Sequence, residues 1–337
     1  MNSAKLKLVE GLSFDHTVHR KLVHKHALDE AFITGWQLDG DGVRLAAVLP
    51  RAHALYNEFP AEDRVPDLAV ITEVCRQACF VVAHTKFAVP VIDNTFQFLL
   101  QEINSSFLEV ERLPKHRPIE LIVDCTIEQT RRRGRELSAL VWRFHVTDRS
   151  GEVPVADVRM RMVWIDRGDW RRMRDSMRRG RGLPIEPGWP QPPAAGLPPD
   201  QVGRRNVDNV ALQTVDANDI ERSGYQALAR IDSRHPVLFD HLIDHVYAMV
   251  QLEACRQLGL HVHARAAGVA PAEIELAGFT AEFHTVAELD LPVHLYGTVP
   301  QAGSDGMLTH RVQVCQGERQ NSSFTLTTRP RRHFVRG

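Results

Sequence analysis

Much that would place this chain at sight is missing from it. Only five cysteines occur among 337 residues (Cys75, Cys79, Cys125, Cys255, Cys315). They are odd in number, scattered and without a CxxC pair, so neither a disulfide framework nor a zinc knuckle is indicated and reduced thiols are expected. No unbroken apolar run reaches membrane-spanning length, and Met1 to Phe14 lacks the apolar centre of a secretion signal. No membrane partner and a cytoplasmic protein are therefore expected. An excess of one charge is also absent: 41 Lys and Arg stand against 42 Asp and Glu, a balance that points to no polyionic partner. Aromatic residues make up 7% and none interleaves with the arginine runs Arg131–Arg135 and Arg171–Arg181, which excludes the usual pattern of a nucleic-acid surface.

What is present is a five-residue string that occurs twice. Glu73-Val74-Cys75-Arg76-Gln77 and Glu253-Ala254-Cys255-Arg256-Gln257 lie 180 positions apart. Each sits in a stretch that is apolar on all sides, the mark of a buried helix. Helical rotation brings Arg and Gln, three and four positions on, to the face that carries Glu. Buried charge is costly unless it is paired or used, so the same costly facet seen twice suggests duplication of a unit that held a site. The cysteines two positions after each Glu fall on roughly the opposite face and read as small core residues, not nucleophiles.

The order of elements supports the duplication. Leu38 to Val43 reads as a hairpin turn around Asp-Gly pairs. A first helix is expected from about Pro66 to His84, followed by strands around Leu121, Leu137 to Val146 and Val158 to Met162. Arg171 to Pro199, basic and then proline-rich, reads as an extended linker. After it come short strands over Val207 to Leu212 and Tyr225 to Ile231, and a second helix from about Asp244 to Leu260. Strands follow over Ile274 to Phe283, Leu289 to Tyr296, Leu308 to Val314 and Phe324 to Thr327. The expectation is an α+β fold of two hotdog repeats, each a long central helix wrapped by antiparallel sheet, over 1–170 and 201–337, joined by a 171–200 linker into a pseudo-dimer.

The residues His235 to His241, Asp244-His245-Val246 and Met249 to Gln257, with Val23-His24-Lys25, Glu73 to Gln77 and His84 in the first half, resemble the A-factor synthase (AfsA-type) hotdog family in order and spacing over nearly the whole chain. Tyr247-Ala248 departs from it, standing where the family usually carries Pro-Gly at the helix entrance. The resemblance implies an acyltransferase that moves a 3-oxoacyl group from acyl carrier protein to the hydroxyl of dihydroxyacetone phosphate, towards a γ-butyrolactone or butenolide signal. The acyl group would be borne on phosphopantetheine, with no other cofactor. The helix motif is more distantly similar to that of 3-hydroxyacyl-carrier-protein dehydratases, but the histidine such an enzyme needs would fall near Phe239.

Acyl transfer requires a base, oxyanion donors and a cation for a phosphorylated acceptor. Glu253 or Glu73 is the candidate base, with burial expected to raise its pKa. Backbone N–H groups at a helix start are candidate oxyanion donors, and Arg256 or Arg76 a candidate phosphate clamp. The competing view makes each Glu–Arg pair purely structural, and which copy is active stays open. Gln77 and Gln257 share the polar facet, either on a ligand carbonyl or on a nearby loop. His24 and Lys25 are candidate phosphate or phosphopantetheine contacts, as is Arg204, although surface positions are the commoner fate of such residues. His241 and His245 share a helical face, but Leu242 stands where a zinc motif has Glu, so no metal is expected; Asp244 and His245 are expected to cap the helix or orient the site. The arginine runs are either solvated loops or a surface for the acidic carrier protein. A dehydratase, a thioesterase or a non-catalytic acyl-binding protein remain the alternatives, and homodimerisation of the fused pair is undecided.

Overall fold

The computed structural model describes residues 11–58, 65–91, 95–114, 117–134, 136–186, 193–218, 220–241 and 243–333. Parts of the start of the chain, of the Arg131–Arg135 run and of the proline-rich stretch lie outside the described residues, as does Leu242.

In chain order the first half contributes β1 (Ile33–Asp39), β2 (Gly42–Leu49), α1 (Leu68–Thr85), β3 (Phe96–Phe107), β4 (Ile119–Arg133), β5 (Glu136–Asp148) and β6 (Pro154–Asp166). Helix α2 (Arg167–Arg179) follows. The second half contributes β7 (Leu212–Asp216), the one-turn α3 (Ile220–Ser223), β8 (Tyr225–Ala229), α4 (Ala248–Ala267), β9 (Ile274–Phe283), β10 (His294–Gly297), β11 (Gln301–Ala302), β12 (Leu308–Gln316) and β13 (Arg319–Pro330). The strands form one antiparallel sheet in the order β1-β2-β4-β5-β6-β3-β9-β13-β12-β10-β8-β7, with β11 on β12. Outward from the β3–β9 junction the two sides follow the same sequence of roles, which is the duplication written in topology. At the junction Glu102 to Ser106 pair antiparallel with Glu282 to Gly278, so the halves share one continuous sheet.

Local chemistry sets the ends of both core helices. Asp67 is extended and its side chain accepts from the Ala69 N–H at 3.0 Å, a side-chain cap for the first turn of α1. Pro66 precedes it at a place where a missing N–H costs nothing. Helix α4 starts after Tyr247, which is also extended (φ −59°, ψ 151°), and no side chain caps it; it stops at Gly268, whose φ of 67° suits a residue without Cβ. The second helix therefore runs four residues later than the sequence pattern alone suggests and ends seven later. The β1–β2 turn uses Gly40 at φ +55°.

Side chains from both helices and the sheet merge into one apolar core that spans the two repeats, with Val74 of α1 and Val250 of α4 in the same cluster. By length and hydropathy α1 would suffice to cross a membrane, yet 89% of it is buried inside the protein, so its apolar character serves the core. All five cysteines are buried and unpaired, and burial pushes the Cys75 and Cys255 thiols well up, leaving them inert.

Three expectations give way. Of the strand expected over Leu289 to Tyr296, only the part from His294 forms, as β10. The Val207–Leu212 strand is a 3-10 turn (Val207–Asn209) followed by β7 from Leu212. The basic run placed in the linker forms most of α2. Its Arg174 and Arg178 are 4% and 1% exposed. Glu288 takes 2.6 and 2.7 Å hydrogen bonds from Arg174 and one of 2.5 Å from Arg178, while Asp290 receives Arg178 at 2.6 Å. Spacing of i, i+4 turns both guanidinia to one face, and a buried carboxylate supplies what the linker reading lacked.

Candidate functional site

The polar facet of α1 is a closed set of charges. Glu73, 1% exposed, accepts two bonds from Arg76 at 2.7 and 2.8 Å and one from Gln77 at 3.0 Å. Lys25 Nζ lies 3.3 Å from the same carboxylate and 3.5 Å from Glu30. Burial alone pushes the Glu73 carboxyl up, but Arg76 and Lys25 outweigh it and hold it at about 2. The expected rise towards neutral pH does not occur: buried carboxylates rise only when burial meets no cation, and here two are in contact. Gln77 receives the Phe32 N–H at 2.9 Å and donates to the Glu30 carbonyl at 2.7 Å, which fixes the chain entering β1. Lys25, a candidate ligand contact whose commoner alternative is the surface, is buried.

The α4 facet has the same logic with different partners. Glu253 accepts from Gln257 at 2.5 Å, Arg204 at 2.6 Å and Arg256 at 3.3 Å. Gln257 takes the Ala211 N–H and donates to the Asn209 carbonyl, the counterpart of what Gln77 does. Arg204, expected to be solvated, is buried against Glu253, Glu58 and the Leu55 carbonyl. It fills the role that Lys25 fills in the first half. Arg256 has a second carboxylate partner that, among the described residues, Arg76 does not: its guanidinium bonds Asp67, the capping residue of α1. Arg256 and burial act oppositely on Asp67, and the cation wins, holding its carboxyl at about 2.

The two facets open to different spaces. Arg204 and Arg256 border a small cavity of about 80 Å³. Glu73, Arg76, Lys25 and His24 border one of about 1060 Å³, whose further walls come from α2, β3, β6 and the 237–249 segment of the second half. Phe80, Phe98, Met162, Leu238 and Met249 give this cavity an apolar side, and Ala248, in the first uncapped turn of α4, also lines it. Of the repeated pair, the first copy of the facet borders the larger of these two cavities.

His24 stands at this border in the left-handed region (φ 54°), a conformation a non-glycine residue holds only where its surroundings enforce it. Its ring stacks on Phe80 at 4.1 Å and its Nε2 lies 2.8 Å from His84 Nε2. His84 Nδ1 donates to the Val89 carbonyl at 2.7 Å; burial pushes both imidazoles down, so each is neutral and His24 is the donor to His84. Asp244 does not cap α4. It accepts from Trp170 at 3.2 Å and Arg174 at 3.3 Å and is 2.7 Å from His245 Nδ1, so it joins the second half to α2. His241 is bonded to Asp240 at 3.2 Å and to Tyr247 at 2.7 Å. Among the described residues no group of three or more His, Cys, Asp or Glu is placed to hold a metal ion. Tyr247 is the cavity residue whose partner sequence reasoning does not supply; its departure from the family pattern was the available signal.

The A-factor biosynthesis hotdog domain family matches residues 9–166 and 188–331. The chain is similar to a 2-oxo-3-(phosphooxy)propyl 3-oxoalkanoate synthase of Streptomyces virginiae, 31% identical over 93% of this chain and 98% of that one. It is similar also to the synthase of the same description from Streptomyces griseus, 31% identical over 94% and 97%. Among solved structures it resembles the 12:0-ACP thioesterase from Umbellularia californica, with 13% identity, a TM-score of 0.48 and coverage of 88% of this chain and 100% of that one. The matches reach across both repeats, and the chain belongs to the A-factor biosynthesis hotdog family.

Proposed function

We propose that the chain is an acyltransferase that carries a 3-oxoacyl group from the phosphopantetheine thioester of acyl carrier protein to the hydroxyl of dihydroxyacetone phosphate. The reaction opens biosynthesis of a γ-butyrolactone or butenolide signal in the cytoplasm and uses no metal or further cofactor. The observation that carries the reading is the composition of the 1060 Å³ cavity, in which apolar walls, an uncapped helix start and a cation pair meet. The acyl chain lies against Phe80, Phe98 and Leu238. Its thioester carbonyl sits at the start of α4, where free N–H groups and the helix dipole favour the developing oxyanion.

Arg76 and Lys25 receive the acceptor phosphate. Two of the five donors of Arg76 are spent on Glu73, which leaves others for a ligand. Glu73 is an anchor in this scheme: a carboxylate held at about 2 is a poor base near neutral pH, but it keeps two cations fixed and desolvated. The basic outer face of α2 is the proposed landing place for the acidic carrier protein.

Incubating the protein with 3-oxoacyl carrier protein, with and without dihydroxyacetone phosphate, tests the reading. Free thiol is expected only when both substrates are present. Equal release without the acceptor would make the protein a thioesterase.

A further inference from the structure

With Glu73 held as an ion by its cations, the attacking hydroxyl needs another group to take its proton. Position 247 is the counterpart, 180 residues on, of the capping Asp67, and here it carries a phenol. Tyr247 Oη lies 2.7 Å from His241 Nε2, and His241 Nδ1 lies 3.2 Å from Asp240 Oδ2. Asp240 is fixed in turn by the backbone N–H groups of His26 and Ala27, at 2.7 and 2.8 Å. Burial pushes the Asp240 carboxyl up, but the His241 bond and these two N–H groups outweigh it and hold it at about 2. An ionised carboxylate only accepts, so His241 Nδ1 donates to Asp240, and in the singly protonated imidazole the Nε2 lone pair receives the phenol O–H. The His26 ring stacks on His241 at 4.8 Å and fixes its plane. All three relay residues border the large cavity, and Tyr247 immediately precedes the uncapped turn of α4.

We infer that Tyr247, which stands where the family usually carries Pro, is a catalytic acid–base group particular to this protein, with His241 and Asp240 as its positioning residues; the inference rests on the acyl-transfer reading above. In the first step the acceptor hydroxyl gives its proton to Tyr247 Oη while the phenol proton moves to His241 Nε2. The acceptor oxygen forms a bond to the thioester carbon, whose carbonyl oxygen becomes the oxyanion at the α4 start. In the second step the carbonyl re-forms and the C–S bond breaks. The sulfur takes a proton from Tyr247, which regains its own from the imidazolium. Ester and free thiol result, and the relay returns to its starting state. Other cavity residues are less suited: His24 spends its Nε2 on His84, and Asp244 is shared among Trp170, Arg174 and His245.

The test measures thiol release by the full chain, wild type, Tyr247→Phe, His241→Gln and the double variant, with folding checked by thermal unfolding. Tyr247→Phe is expected to lower kcat by about 100-fold or more, the scale of a lost proton-transfer group, with KM for the acyl thioester within about threefold. His241→Gln is expected to lower kcat by at least about tenfold, and the double variant to be no slower than Tyr247→Phe, since members of a relay fail as a unit. Retention of kcat within about threefold by a folded Tyr247→Phe overturns the inference, as do two independent, multiplying losses. If the wild type releases thiol equally without acceptor, the acceptor reading falls and the same variants judge the relay on hydrolysis. A wild type inactive with and without acceptor overturns both.

Discussion

Asp67 and Tyr247 hold the same place in the two repeats, one residue before a core helix, and they leave the two Glu–Arg facets unlike. The Asp67 carboxylate caps α1 and reaches across the repeat boundary to Arg256. Tyr247 leaves the start of α4 uncapped and gives its hydroxyl to His241. The difference between these duplicated positions gives Arg256 a carboxylate from the other repeat, while the facet of the first helix borders the large cavity.

The asymmetry separates the two glutamates by experiment. Glu73→Gln should cost about 3 kcal/mol of stability, because it removes the one carboxylate that half-buried Arg76 contacts among the described residues and leaves buried Lys25 with Glu30 alone, and the folded fraction should have kcat lowered by about 100-fold. Glu253→Gln should cost less, since Arg204 keeps Glu58 and Arg256 keeps Asp67 when the Glu253 charge is lost, and kcat of the folded protein should stay within about threefold. Denaturant titrations paired with active-fraction kinetics check both; equal losses of kcat would refute the assignment of one working facet.

Arg76→Lys should act through the acceptor. Lys keeps the charge but not the forked geometry, so KM for dihydroxyacetone phosphate should rise by about tenfold. Turnover of unphosphorylated dihydroxyacetone, poor in both proteins, should change little. Initial rates at varied concentrations of the two acceptors decide it.

Stability should fall in two stages as the solution is acidified. His24 and His84 have pKa values pushed below their ordinary 6.5 by burial. The unfolded chain then binds more protons than the folded one below that value, and stability present above about pH 6.5 is progressively lost. Glu73 is lowered from 4.5 to about 2, against the pull of burial, by Arg76 and Lys25, and Asp67 from 3.8 to about 2, against the same pull, by Arg256. Their contribution is full above about pH 4.5 and disappears as pH falls towards 2. Urea midpoints from pH 8 to 2.5 should show both declines, and Glu73→Gln should flatten the lower one.

Helix α2 should depend most on the carboxylate that its two buried arginines share. Glu288→Gln leaves Arg174 with Asp244 and Arg178 with Asp290 but removes their common buried anion, at a cost of about 3 kcal/mol. Amide exchange across 167–179 should quicken more than exchange in α1, since α2 is held to the second half by these ion pairs and α1 by the apolar core. Uniform quickening would argue against a locally released wall.

The legible part of the fold was whatever repeats or alternates. The five-residue string marked both core helices, Asp-Gly pairs marked the β1–β2 turn, and β9 runs from Ile274 to Phe283 as its pattern suggests. The start of α4 was displaced because Asp244 resembles a cap by type, whereas its oxygens are committed to Trp170, Arg174 and His245. Lys25 and Arg204 read as surface residues because burial of a cation depends on an anion far away in the chain, Glu73 for one and Glu253 with Glu58 for the other. For the same reason the charge state of Glu73 escaped a reading based on burial alone.

The sequence by itself determined that two equivalent buried helices each carry Glu, Arg and Gln on one face, because helical periodicity and apolar flanks are local properties. Only the tertiary structure decided which of the two faces meets a large cavity, that Asp67 answers Arg256, and that Tyr247 meets His241. Those are contacts between segments distant in the chain, and their energies depend on desolvation and distance, which exist only once the sheet has closed across the β3–β9 junction.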